Sequence, residues 1–228
     1  KPLKLINNKE MILHVYDAAI KSNAGDVYVA TPDKKIADTV KNSGGNAIIT
    51  SFNHETGTDR VFEVFKKELK EEPKIIINLQ GDMPNIDPKA IFNLVSYMNK
   101  DKCDIGTLAS DFNNRKEIDN PNVVKVAVKE KFSKDMFLNA VDFFRENKNS
   151  SYHLYHHIGI YAFTNQALIR YVSLKRSKLE LERKLEQLRA LENNMSIHVG
   201  YIKSSPLSID TEEDLKEVKN LMEKNEKN

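Results

Sequence analysis

The sequence predicts an α/β fold in which helices flank a mixed, mostly parallel sheet. Two observations carry that prediction. Short β-branched runs alternate with helical stretches from one end of the chain to the other, with short connections between them. The early runs are also continuously apolar, as expected of strands buried on both faces of a parallel sheet.

Asp26-Val-Tyr-Val-Ala-Thr31 is the first such run, followed by a helix over Asp33–Asn42. Ala47-Ile-Ile-Thr50 and Lys74-Ile-Ile-Ile-Asn-Leu79 supply the next two strands. Between them, Val61, Val64, Phe65 and Leu69 recur near the helical period over Arg60–Lys70. Asp87-Pro88 pairs an N-cap with proline at the first helical position, opening a helix to about Met98. The second half is less regular. Val123–Val128 alternates, which predicts a strand with one wet face. His157–Phe163 and Ile197–Ile202 are two further strands. Lys178–Asn193 reads as one charged helix whose Leu181, Leu185 and Leu188 form a stripe, either a core face or a dimer seam. Thr211-Glu-Glu-Asp214 matches a capping box and opens a C-terminal helix, expected to fray beyond Met222. No repeat or low-complexity linker interrupts the 228 residues, so a single domain is expected.

Composition narrows the function classes. Lys+Arg 35 against Asp+Glu 33 leaves a net charge of +2, which provides no broad basic field for nucleic acid. A local anion pocket is still compatible with it. With 40% hydrophobic and 30% charged residues the chain has the composition of a folded domain. Cys103 is the only cysteine, which excludes an intrachain disulfide, and no Cys/His cluster has zinc-ligand spacing. The longest apolar run, Ile75–Ile77, is far too short to span a bilayer. A cytoplasmic protein with neither nucleic-acid nor membrane partners is expected.

Three segments hold residues suited to chemistry. Gln80-Gly-Asp-Met-Pro84 directly follows the Lys74–Leu79 strand, where ligands sit in open α/β sheets. Asp82 there could hold a magnesium ion, although the same residues also make an ordinary turn. His54-Glu-Thr-Gly-Thr-Asp-Arg60 joins a strand to a helix. Thr56, Gly57, Thr58 and the first helical N–H groups could bind an anion or the edge of a base. Taken alone, that segment reads first as an N-cap by Thr58 or Asp59. Asp210, in Ser208-Ile-Asp-Thr211, is by itself a carboxylate at a helix start; with Asp82 it could share a divalent metal. His157 reads either as a hydrogen-bonding group for a polyhydroxylated substrate or as a buried, satisfied histidine. Glu186-Gln-Leu-Arg189 reads by default as a solvated helix face. There is no P-loop, GxGxxG fingerprint or Ser/His/Asp order.

In their common order, these segments resemble a known family. Lys1-Pro-Leu, His54-x-Thr-Gly-Thr-Asp-Arg60, Gln80-Gly-Asp-x-Pro84 and Asn120-Pro-Asn-Val-Val-Lys-Val126 are four of seven motifs in register. His157-Ile-Gly-Ile-Tyr161, Leu185-Glu-Gln-Leu-Arg-Ala-Leu-Glu192 and Ile209-Asp-Thr-x-Glu-Asp-Leu215 complete the set. Together they resemble the 3-deoxy-manno-octulosonate (KDO) cytidylyltransferases over almost the whole chain.

The resemblance implies a nucleotide-diphospho-sugar transferase fold with a smaller dimerisation sub-lobe at about residues 130–200. It also implies a cytoplasmic, Mg²⁺-dependent homodimer that makes CMP-KDO and pyrophosphate from CTP and KDO for lipopolysaccharide. Asp82 and Asp210 match the metal carboxylates, and Lys1 the lysine that closes the nucleotide loop. Gln80, Thr56, Gly57, Thr58 and Arg60 match the CTP side; His157, Tyr161, Glu186 and Gln187 match the sugar side. The family's first strand and its Pro-Ala-Arg, Ser-x-Arg loop lie ahead of Lys1, outside this sequence, and without them weak CTP binding is expected. Met83 stands where glutamate is usual and Pro32 where an acidic residue is common. Leu138-Asn139 replaces Ser-Arg, and His156 stands where arginine often precedes the histidine. The alternatives are another acidic sugar, such as 8-amino-KDO or an acylneuraminate, and a non-catalytic nucleotide- or sugar-binding relative.

Overall fold

A computed structural model describes residues 1–68, 73–100, 103–133, 136–146, 151–209 and 212–226. The chain divides into two units, each assembled from separate stretches of sequence.

The first unit holds Lys1–Glu68, Gln80–Asn93 and Pro206–Asn228. It opens with a hairpin of β1 (Leu5–Ile6) and β2 (Lys9–Glu10). Asn7 and Asn8 make its two-residue turn with φ of 48° and 61°, a left-handed pair that asparagine tolerates well. Helix α1 (Met11–Lys21) follows at once and buries Met11, Ile12, Leu13, Val15 and Ala18. It serves two cores. Met11 packs with Ile6, Ile209, Leu215 and Val218. Ile12 and Leu13 pack with Ala37, Val40 and Ala47. Strands β3 (Val29–Thr31) and β4 (Ala47–Ile49) pair in parallel around α2 (Lys34–Asn42), whose N-cap Asp33 accepts from the Lys35 N–H. In these strands only Thr31 and Ala47 are buried, and Ile49 remains 46% exposed, so they are not fully buried on both faces as the apolar runs suggested. Helix α3 (Gly57–Glu68) begins three residues earlier than its periodicity indicated. Helix α4 (Pro88–Met98) begins in this unit, with Asp87 accepting from the Lys89 N–H at 2.9 Å. The C-terminal helix Glu212–Glu226 continues past Met222, where fraying was expected; Thr211 of the predicted capping box lies outside the described residues.

The second unit holds Leu69–Leu79 and Leu94–Ser205. Its sheet contains β5 (Ile75–Leu79), β6 (Ile105–Ser110), β7 (Lys125–Val128), β8 (Phe137–Phe144), β9 (His153–Thr164) and β10 (Ile197–Tyr201). The order is β5-β9-β6-β10-β8-β7, and β7 also pairs with β9, so five of the strands close a ring. Here the expectation of a mostly parallel sheet needs correction. Only β6–β10 is a parallel neighbour pair; β9 runs antiparallel to β5, β6 and β7, as β8 does to β7 and β10. The cause is the long strand β9, which lies between β5 and β6: these point the same way without touching. Periodicity reports burial, not the direction of the neighbour. Short helices α5 (Arg115–Asp119), α6 (Asn165–Ser173), α7 (Lys178–Arg183) and α8 (Leu188–Glu192) complete the unit, and the C-terminal helix is α9.

Two expectations fail here for the same reason, a buried charge. Strand β7 has no wet face: all four residues are buried, Lys125 completely. Its ammonium donates to three backbone carbonyls, those of Asn120 (2.6 Å), Val123 (2.8 Å) and Arg145 (2.5 Å). Burial lowers its pKa, but the three acceptors leave no donor unused. Lys125→Met should therefore cost about 3 kcal/mol or more, because three carbonyls lose their donor. Urea unfolding at constant pH measures this; a loss below about 1 kcal/mol would mean that water replaces the ammonium.

The predicted helix Lys178–Asn193 is broken. Lys184 adopts φ 54° and ends α7, and α8 restarts at Leu188. Leu185 and Leu188 are buried, but Leu181 is 52% exposed, so the leucines do not share a stripe. The break lets Glu180 meet Arg189 inside the unit, at 2.7 and 2.9 Å. The Glu186–Arg189 segment is accordingly not a solvated face: Gln187 and Arg189 are buried.

Candidate active site

The first unit gathers the leading lysine and the Gln-Gly-Asp turn. The stretch Lys1–Lys4 is a turn closed by the Lys4 N–H on the Lys1 carbonyl, 3.0 Å. The N–H groups of Met11 and Ile12, which have no partner within α1, donate to the carbonyls of Lys4 and Pro2. Lys1 is thereby fixed, and its ammonium lies 3.3 Å from an Asp82 carboxylate oxygen. Both side chains are about one-third exposed (36% and 32%), so the pair is open to a ligand. The Asp82 turn is held from two further sides. Its carbonyl accepts from the Ile209 N–H at 3.1 Å, and Asn85 Oδ1 accepts from the Leu207 N–H at 2.9 Å. A Cβ at Gly81 would stand 3.1 Å from Ile12 Cδ1, a tight contact that this side-chain end would have to ease by a few tenths of an ångström. Asp210 lies outside the described residues; Ile209, its neighbour in sequence, is the residue bonded to Asp82. Gln80, at the start of the same turn, is half-buried.

The His54–Arg60 segment is tied to α3 throughout. Thr56 caps the helix, not Thr58 or Asp59: its hydroxyl accepts from the Asp59 N–H and donates to the Asp59 carboxylate at 2.8 Å. Gly57 is the first helical residue, and Thr58 is buried. Arg60 turns back onto the loop, donating to Thr50 Oγ1 (2.6 Å) and the Ser51 carbonyl (2.9 Å).

The second unit gathers the sugar-side candidates. His157 on β9 is buried, and its ring nitrogen Nε2 lies 2.9 Å from Thr107 Oγ1. That hydroxyl has one proton and gives it to the Ile160 carbonyl at 2.7 Å, so it must accept from His157 Nε2–H. The Nδ1 lone pair is left to accept. Burial, with His156 beside it, pushes the His157 pKa down to about 3. His157 is thus neutral near pH 7, and its ¹H–¹⁵N signals should not titrate between pH 5 and 8. The linkage sign follows: the unfolded chain protonates near 6.5, so this histidine subtracts stability as pH falls below 6.5 toward 3. A ring that titrates near 6.5 in the folded protein would overturn the burial argument.

Tyr161, also buried, has a ring 5.6 Å from that of His157. Burial raises its pKa well above the usual value, the carboxylate of Glu186 adds to this, and Arg145 works against it. His157, Tyr161 and Glu186 therefore form one neighbourhood, and Gln187 is buried next in sequence after Glu186. Tyr171 Oη holds the turn by donating to the Glu186 carbonyl at 2.9 Å. Sequence reasoning missed Arg145, the cation acting on Tyr161, which also donates to the Pro121 carbonyl at 3.2 Å. No periodicity or motif marks it. Among the described residues, no group of three or more His, Cys, Asp or Glu gathers as a metal site.

The fold is shared with solved structures. It matches a nucleotidyl transferase from Methanothermobacter with a TM-score of 0.64 at 11% identity, covering 99% of this chain and 86% of that one. A CMP:2-keto-3-deoxy-manno-octonic acid synthetase solved with CTP matches at TM-score 0.87 and 34% identity, over 99% and 92% of the two chains. The cytidylyltransferase family model covers residues 1–197. The 3-deoxy-manno-octulosonate cytidylyltransferase of Thermodesulfovibrio yellowstonii is 42% identical over 94% of this chain and 89% of its own length. That of Paramagnetospirillum magneticum is 38% identical over 97% and 91%. The chain belongs to the 3-deoxy-manno-octulosonate cytidylyltransferase family.

Proposed function

We infer that the chain joins CTP to KDO, giving CMP-KDO and pyrophosphate. The observation that carries this is the Lys1–Asp82 pair, an ammonium and a carboxylate set together and left open on a turn fixed from three sides. The KDO anomeric oxygen forms the new bond to the α-phosphorus, the bond to the pyrophosphate oxygen breaks, and the hydroxyl proton leaves to solvent. Lys1 neutralises charge on the triphosphate. Gln80 and the Thr56–Arg60 segment take the cytosine and ribose, and the fixed loop holds the nucleotide for in-line attack. On the sugar, His157 Nδ1 accepts from a hydroxyl and neutral Tyr161 donates to one; Glu186 and Gln187 complete the contacts. Arg145 supplies the cation for the sugar carboxylate.

The site residues fit a magnesium ion by the chemistry of their donors: Asp82 offers a hard carboxylate, and Asp210, next to Ile209, would offer a second. When bound, Mg²⁺ would neutralise phosphate charge and lower the pKa of the sugar hydroxyl. The same reading makes the chain a cytoplasmic homodimer in lipopolysaccharide assembly. Among the described residues, no helix is long and apolar enough to cross a membrane.

The test is a panel of acidic sugars (KDO, 8-amino-KDO, an acylneuraminate), each incubated with CTP and Mg²⁺ while pyrophosphate is measured. The full coding sequence, including whatever precedes Lys1, should be used. Release with KDO above the others supports this reading. Release with none of them would leave a nucleotide- or sugar-binding relative. Labelled CTP should leave no phosphorus on the protein after quenching, since no side chain attacks the nucleotide.

A further inference from the structure

We propose that Glu63 is a positioning residue for nucleotide binding, acting through the Ser51–Thr56 loop. This rests on the reading of the Thr56–Arg60 segment, into which that loop leads, as part of the CTP site. Glu63 stands on α3, nearly two turns from its start, and its side chain is only 13% exposed. It accepts three hydrogen bonds, two of them from the loop. The Ser51 N–H donates at 2.9 Å, the His54 ring nitrogen Nε2 is bonded to the same oxygen, and Lys67 pairs with the other from the next helical turn. The loop is thus fastened to one helix at both ends: Thr56 caps the N-terminus of α3, and Glu63 holds Ser51 and His54. Arg60, between the two, donates to Thr50 and to the Ser51 carbonyl. Ser51 is therefore held at both its N–H and its carbonyl, by opposite charges one helical turn apart. Exposed strand-to-helix loops are ordinarily mobile, and a loop that must present backbone groups to a nucleotide gains from being fixed beforehand.

The lysine, the histidine and the Ser51 N–H together hold the Glu63 pKa down at about 2, so the carboxylate is charged at any working pH. Glu63→Gln keeps an acceptor for the Ser51 N–H but loses the charge; Glu63→Ala loses the whole attachment. Lys67→Ala is the control, since it removes a partner of Glu63 outside the loop.

The measurement is the Kd for CTP by calorimetry on each variant, with steady-state KM and kcat for both substrates. The Kd for CTP should rise roughly 3- to 10-fold in Glu63→Gln and about 10- to 30-fold in Glu63→Ala, as expected for lost charge-assisted bonds. KM for KDO and the Tm should change little, and Lys67→Ala should bind CTP like wild type. Unchanged Kd in both Glu63 variants overturns the proposal. So does a loss of kcat and Tm with Kd preserved, which would make Glu63 a fold residue only. A wild-type chain that binds CTP yet makes no CMP-KDO sinks the functional reading, while the Kd series still decides the role of Glu63. A chain that binds no CTP sinks both.

Discussion

Asp82→Ala should reduce CMP-KDO formation by at least about 100-fold while leaving the protein folded, because the carboxylate proposed to hold the phosphate-neutralising Mg²⁺ would be lost. The two effects separate because different atoms of Asp82 carry them. Its backbone carbonyl holds Ile209, and a substitution keeps that bond. Its carboxylate, about one-third exposed, pairs with Lys1 at 3.3 Å, and an exposed pair of this kind contributes about 0–1 kcal/mol to stability. Asp82→Asn should be nearly as inactive, since it keeps the shape and loses the charge. Thermal melts and pyrophosphate release on the same preparations check both halves. Activity within about 10-fold of wild type would remove Asp82 from the chemistry.

The second large effect falls on stability. Glu180 and Arg189 are among the most deeply buried charged groups described, at 0% and 3% exposure. Glu180 accepts two bonds from Arg189, one from Arg176 at 3.1 Å and one from the Ser177 N–H at 3.1 Å. The Arg189 guanidinium lies over the Tyr171 ring, 4.5 Å from its centre. Removing one partner leaves the other charge buried, so Arg189→Met or Glu180→Gln should cost about 3–5 kcal/mol and lower Tm by roughly 10 °C. Replacing both together, Glu180→Leu with Arg189→Met, should recover much of the loss. Burial works against the charge of Glu180, but Arg189, the Ser177 N–H and Arg176 outweigh it and hold its pKa below 4.5. The sign is that of a depressed carboxyl: the stabilisation is complete above 4.5 and is lost as pH falls through the lower folded value. Single variants that melt within 2–3 °C of wild type would contradict this.

The α/β class was legible because apolar runs and helical periods are local. Asp33, Asp87 and Pro88 marked helix starts correctly, since capping depends on the residue itself and its neighbours. Sheet direction was not legible, because β9 pairs with strands distant in sequence. Lys125 and Glu180 misled for a related reason. A charged side chain predicts a wet position unless its partners are known, and those partners are three carbonyls and two arginines. The site candidates came from motif order, not from local chemistry. Within each unit the neighbours of these candidates are set by tertiary bonds, Ile209 to Asp82 in the first and Tyr171 to Glu186 in the second. Arg145 and Glu63 left no pattern at all: one cation at a strand end and one glutamate in a charged helix resemble any others.

The central claim, that this chain transfers CMP to KDO, is tested most directly by ³¹P NMR of the protein with CTP, KDO and Mg²⁺. The account predicts that the three CTP resonances give way to one phosphodiester signal and to pyrophosphate in equal amounts, only when KDO is present. A triphosphate that persists unchanged, or that decays to CDP and inorganic phosphate, would contradict it.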